Sequence, residues 1–494
     1  MSSNKKSAGI LMSVSSLPNK YGIGTFGSEA YEFVNFLKKA SQTYWQILPL
    51  GHTSYGDSPY QTFSAFAGNP YFIDLDILKD EGLLEYDEYQ HMEHTTSNID
   101  YGFVYYYRYP ILKLAYSRFK ESKEYKDFIK QNDSWLADYA LFMALKEVHN
   151  GASWLEWESC YKKRTKKALL EFKKEHKEEI KFWYFIQYNF YKQWSNLKKY
   201  ANDNGIKIIG DMPIYVAMDS CDVWTNPKYF ELDENLNPLK VAGCPPDDFS
   251  ADGQLWGNPV YNYKVMKEDN YSWWIKRMKM ALETYDVVRI DHFRGFEAFW
   301  SIPSKDKTAR NGKWVKGPNV ALFNAMKKEL GEMNIIAEDL GFLTEGVYKM
   351  IAKLKYPGMK ILEFGFDPWG NSDHAPHNVK ENSVVYPSSH DLPTVKEWYF
   401  SLPYETKRYI LEYLSLDNEN RIVEAIIKKA LSTNANLAIV TMQDYLCLGE
   451  EGRMNKPSVA EGNWTWRAKK DQLIDDLAYR ISYWIRLYKR WENI

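Results

Sequence analysis

Apolar residues along this chain follow two rhythms. Short, β-branched and aromatic runs recur at 9–17, 44–50, 206–216, 287–292, 334–339, 360–366, 383–391 and 437–446. Between them, apolar residues at helical spacing predict helices at 28–40, 271–285, 320–330, 344–354 and about 471–491. In the first of these, Ser28 is placed to cap the N-terminus, with Tyr31, Val34 and Leu37 on one face. Eight strands alternating with helices predict the α/β class and a (β/α)8 barrel. Glu338 and Asp391 lie about 50 residues apart, which fits two βα units of such a barrel.

The β rhythm stops between 76 and 204. Segments 134–150 and 166–200 read there as helices with charged outer faces, so this region is expected to be a mainly helical insertion between strands two and three. The aromatic run 182–191 has the spacing of a core face rather than of a sugar-binding stripe. Two long Gly/Pro-bounded stretches, 51–70 and 217–264, follow strands two and three. Loops on that side of a barrel carry substrate contacts and close over sites. The expected division is therefore 1–75, 76–204 and 205–494, with 217–264 as an active-site loop.

Chemistry gathers at the ends of the apolar runs. VVRIDHFRGF at 287–296 sets Arg289 two residues before Asp291, on the same face of a strand, with His292 beside them. A cation so placed helps keep the carboxylate ionised. NIIAEDLG at 334–341 ends in Glu338-Asp339, and SVVYPSSHD at 383–391 ends in His390-Asp391. Strand ends of a barrel converge on one face, so these acids, with their Arg and His neighbours, suit acid/base and nucleophilic work on an acetal. Asp211 ends strand three and reads either as a turn cap or as a fourth acid of the centre.

RIDHFRG, AEDLG and SSHD in this order resemble the amylomaltases, the 4-α-glucanotransferases of glycoside hydrolase family 77 related to the α-amylases. Further matching stretches are SPYQTFSAFAGNPYFIDL (58–75), GDMPIYVAMDSCDVW (210–224), GCPPDDFSADGQLWGNPVY (243–261), MQDYLCLGEEGRMNKP (442–457) and GNWTWR (462–467). The likeness spans about 8–490. It implies a retaining transfer of α-1,4-glucan segments, with Asp291 as nucleophile, Glu338 as acid/base and Asp391 holding donor-sugar hydroxyls. It also implies substrate contacts from Tyr60, Asp211, Gln254, Trp256, Arg289, His292 and His390. Tyr55 is implied on a neighbouring loop surface. Spacing alone does not distinguish Asp291 from Glu338 as nucleophile. An α-amylase-like hydrolase would use the same three acids, and a silent glucan-binding protein would not need all of them.

Composition narrows the partners. A chain of 494 residues exceeds one minimal barrel of about 250, so insertions are required. Most of its 18 Trp and 38 Tyr are expected in the core, and the remainder leave rings for stacking on sugars. A net charge of −2 gives no field for nucleic acid. Cys160, Cys221, Cys244 and Cys447 form no CxxC pair and fit a reducing, cytoplasmic setting. The apolar run after Lys5-Lys6 is too short for a signal peptide and reads as strand one; nothing is long enough to span a membrane. His374 and His377 lack a third ligand at metal-site spacing, and the GIGTFG at 22–27 lacks both a P-loop lysine and a Rossmann acid. Neither a metal nor a cofactor is expected, and the partners are donor and acceptor glucans.

Overall fold

In the computed structural model of this protein, described for residues 6–54, 56–94, 96–246, 250–341, 343–457, 459 and 461–491, twelve strands are present among the described residues. In chain order these are β1 (Ser7–Leu11), β2 (Tyr44–Gln46), β3 (Lys207–Met212), β4 (Lys240–Cys244), β5 (Gln254–Pro259), β6 (Val287–Ile290), β7 (Ala298–Pro303), β8 (Lys313–Lys316), β9 (Ile335–Ala337), β10 (Gly358–Ile361), β11 (Ser383–Tyr386) and β12 (Leu437–Thr441). Eight of them close into a parallel barrel in the order β1-β12-β11-β10-β9-β6-β3-β2. The apolar run after Lys6 is thus a barrel strand, paired to both β12 and β2.

Inward-facing Leu11, Tyr44, Ile209, Val287, Ile336, Met359, Ile361, Val384, Tyr386, Leu437 and Ile439 fill the barrel as a packed core. A second, larger core lies between strands and helices. Among the described residues, only α-helices and 3-10 turns occur between β2 and β3, up to Asp203. Phe182, Trp183, Phe185 and Phe190 of the helix Lys177–Asp203 are buried there.

Several expectations are corrected. The first helix is capped by Gly27, not Ser28: a Cβ at Gly27 would lie 2.1 Å from the Asp74 carboxylate, so only glycine fits under it. The strands are shorter than the apolar runs. Strand one ends at Leu11 and a 3-10 turn, Val14–Ser16, follows; strand eight ends at Thr441 and runs into a helical turn, Met442–Tyr445. The strand expected at 360–366 ends at Ile361 in another 3-10 turn, Leu362–Phe364. β11 stops at Tyr386 because Pro387 offers no N–H to the ladder, so Asp391 lies on the loop beyond.

The largest departure is a four-stranded antiparallel sheet, β5-β4-β7-β8, with β4 and β5 inside the stretch 217–264 expected as a loop. It carries Trp256 on β5 and pairs Trp300 with Trp314 across β7 and β8. Finally, β10 and β11 are joined without an α-helix among the described residues, whereas α-helices occur in the other connections of the barrel.

Candidate active site

Strand register builds one half of the site. Asp211 on β3 is the direct partner of Arg289 on β6. The Arg289 Nη1 donates to both Asp211 oxygens at 2.6 Å and lies 3.3 Å from Asp291 Oδ1. Both side chains of the Arg289–Asp211 pair are essentially excluded from solvent, so each requires the other. Asp211 is therefore an ion-pair member and not a turn cap.

Glu338 lies one residue beyond β9. Its backbone N–H donates to Ile290 O, and its carbonyl accepts from Phe293 N, which extends the β6–β9 ladder past both strand ends. The carboxylate accepts the N–H of His292 at 2.6 Å and that of Leu340 at 2.8 Å. His292 directs its N–H there from a left-handed backbone, φ 46°, a conformation His tolerates better than most residues.

Loops build the other half. His390 Nε2 lies 3.0 Å from Asp391 Oδ2 and 2.6 Å from the Tyr60 hydroxyl, which donates to Asp211 Oδ2 at 2.7 Å. The Tyr60 ring stacks on His390, centroids 5.7 Å apart and 7° from parallel. Asn455 Nδ2 donates to Asp391 Oδ1 at 2.7 Å, and the Trp464 ring packs on both Tyr60 and His390. Trp464 adopts φ 65° and is held by its N–H to Met454 O.

The acids differ in electrostatics. Burial raises Asp291 to about 6; Arg289 opposes that, while Asp211 and Asp391 add to it. Burial, then the charge of Asp291, raises Glu338 further, to about 8, against Arg289 and the Leu340 N–H. Partial burial also pushes Asp391 up, but His390, Asn455 and Arg289 outweigh it and hold Asp391 at about 2. Burial lowers His390, yet Asp391 beside it makes the net shift upward. His292 is pushed down to about 3 by burial and by Arg294, so its imidazole is neutral.

The remaining expected residues fall as follows. The Trp256 ring meets His292 edge to face at 4.8 Å, and Gln254 Oε1 accepts from Trp256 Nε1 at 3.1 Å. Gln254 thus supports Trp256. Trp314 sits on β8, with Arg294 3.8 Å over its face and Trp300 packed against it. Tyr55 lies outside the described residues. His374 Nδ1 accepts the N–H of Ile361 and His377 faces the Tyr413 hydroxyl, so the pair is split between two unrelated contacts. Among the described residues, no helix is long and apolar enough to cross a membrane.

Asn455 and Trp464 were not singled out from the sequence. Both lie in stretches that carry the family likeness, but neither follows an apolar run, so strand-end reasoning passes over them.

Comparison with known proteins agrees with this geometry. A family model described as 4-alpha-glucanotransferase, of glycoside hydrolase family 77, matches residues 12–473. A 4-alpha-glucanotransferase of Clostridium butyricum is 50% identical over 487 residues, covering 97% of this chain and 100% of that protein. Its counterpart from Thermus thermophilus is 43% identical over 486 residues, covering 96% and 97%. The solved structure of an amylomaltase from Streptococcus agalactiae in complex with acarbose superposes with a TM-score of 0.96 at 42% identity, over 99% of this chain and 100% of that one. A parallel barrel with acids gathered at its C-terminal mouth has the architecture of a (β/α)8 enzyme. Within that class, the chain belongs to the 4-α-glucanotransferases of glycoside hydrolase family 77, and its activity is that of a 4-α-glucanotransferase.

Proposed function

We propose that the chain moves α-1,4-glucan segments between maltooligosaccharides by double displacement, with Asp291 as nucleophile and Glu338 as acid and base. Asp291 attacks the anomeric carbon while Glu338 gives its proton to the leaving glycosidic oxygen, which departs as a sugar hydroxyl. An acceptor hydroxyl then gives its proton to Glu338 and attacks the anomeric carbon of the β-glycosyl–Asp291 ester. The carboxylate is released and α configuration is restored. The observation that carries this assignment is the split between the two acids. Asp291 faces Arg289 and ionises first, whereas Glu338 is raised to about 8 and holds its proton near neutrality.

Asp391, held ionised by His390 and Asn455, takes hydroxyls of the donor sugar. Tyr60, Asp211 and Arg289 adjoin it through His390 and the buried ion pair, and Trp256 packs on His292 beside Glu338. His292 Nε2 and His390 Nδ1 are buried with no protein partner, which supports their use on substrate hydroxyls. This chemistry moves protons and electron pairs only between carboxylates and sugars. A cytoplasmic setting fits the widely spaced cysteines, of which Cys447 is exposed.

Incubation with pure maltotriose tests the reaction. Transfer conserves glycosidic bonds, so glucose and longer chains accumulate while total reducing ends stay constant. Reducing ends that rise in step with product would make the enzyme a hydrolase.

A further inference from the structure

We propose that Trp369 is a stacking platform for long α-glucan chains and sets the enzyme's preference for long over short donors; this rests on the proposed glucan transfer. β10 sits between β9 and β11 in the closed barrel, so the chain leaving β10 rises between Glu338 and Asp391. That connection, 362–382, contains no α-helix and only two 3-10 turns, Leu362–Phe364 and Pro376–Asn378. Its first part, 362–374, leaves the catalytic end of β10 and returns to it through His374, before the chain descends to the start of β11.

The loop's polar groups are committed to its own shape. Asp367 accepts the N–H of Trp369 at 2.9 Å, and a Cβ on Gly370 would lie 2.3 Å from the Asp367 carboxylate. His374 Nδ1 ties the far limb to the N–H of Ile361 at the end of β10. Asn378 bridges to Asn371 at 2.6 Å and to Ser372 O at 2.9 Å.

At the loop's tip the indole of Trp369 is 77% exposed, the most exposed large hydrophobic side chain among the described residues. A ring that served only to fill the loop would lie at its base. This one stands on a tight turn, on the mouth side of the barrel. The apolar face of a pyranose matches an indole in size and polarity, and stacking tolerates any unit of a homopolymer. The ring lies outside the carboxylate cluster, so only chains long enough to leave the cluster reach it.

Initial rates with long amylose and with maltotriose test the proposal in the parent enzyme, Trp369→Ala, Trp369→Phe and Tyr404→Ala. Tyr404, 73% exposed at the first turn of the helix Tyr404–Tyr413, the end opposite the Tyr413 that packs on Phe366 and His377, controls for loss of an exposed ring. If the parent makes no longer sugars from maltotriose, the transfer reading itself fails, whatever Trp369 does. Given transfer, the ratio of kcat/KM for amylose to that for maltotriose is expected to fall about threefold to tenfold in Trp369→Ala. Trp369→Phe recovers most of the ratio and Tyr404→Ala keeps it. A ratio unchanged in Trp369→Ala, an equal loss on both donors, the same fall in Tyr404→Ala, or dissociation of an oligomer as the main effect would overturn the assignment.

Discussion

The two halves of the active site are held by different means. Asp211, Arg289, Asp291 and Glu338 sit on or one residue past barrel strands, and ladder register alone brings them together. Asp391, His390, Tyr60, Asn455 and Trp464 come from segments far apart in sequence with no strand among them, joined by hydrogen bonds and stacked rings. The strand half is over-determined: moving one side chain strains a buried ion pair and a barrel core. The loop half is a chain of single contacts, each removable at smaller cost. The wall beside Asp291 is thereby kept rigid, while the cluster around Asp391 is adjustable.

The strongest probe of the strand half is Arg289→Met. It leaves the Asp211 carboxylate buried and unpaired, which costs about 3–5 kcal/mol of stability. It also removes the group that pulls Asp291 down, so the nucleophile protonates at higher pH. Denaturant unfolding and the acid limb of the kcat/KM profile check both effects. Unchanged stability would mean that the pair is not what fixes this wall.

Asn455→Ala probes the loop half. One hydrogen bond to an ionised carboxylate contributes roughly 1.5–3 kcal/mol, so kcat/KM should fall about tenfold to a hundredfold. The midpoint of unfolding should move far less than in Arg289→Met. If Asn455→Ala unfolds as readily, the loop half is no less integral than the strand half.

In the parent enzyme, kcat/KM should be bell-shaped in pH. Activity falls below about 6 as Asp291 gains a proton, and above about 8 as Glu338 loses one. The two values belong to the interacting pair. A flat profile through that interval, or limbs in the reverse assignment when Glu338→Gln is compared, contradicts the division of roles.

The smallest effect is expected from Trp256→Ala. Removing a ring beside His292 admits water to the glycosyl-enzyme, so the ratio of transfer to hydrolysis drops a fewfold, more than total bond cleavage does. Reducing ends measured beside the product ladder decide this.

The same contrast explains what the sequence shows. Apolar runs ending in acids are local signals, and they expose the barrel, Asp291, Glu338 and the Arg289–Asp291 pair. Asn455 lies 64 residues from Asp391, and no local pattern links them. Trp464 reaches Tyr60 and His390 through a left-handed turn that an indole does not announce. The sheet holding Trp256 and Trp314 is built from strands of four to six residues, too short for a period-two signal, and β8 has no buried face to alternate with. Conversely, the helix expected between strands six and seven is missing, and its residues form the Trp369 loop instead.

The central claim is that Asp291 carries the sugar and Glu338 moves the proton. Glu338→Gln incubated with α-glucosyl fluoride tests it directly, because fluoride leaves without a proton, so the first step proceeds and the second stalls. Mass spectrometry of the intact protein and its peptides should find one glucosyl adduct, on Asp291. An adduct on Asp391 or any other carboxylate, or none while fluoride is released in a single burst, contradicts the account.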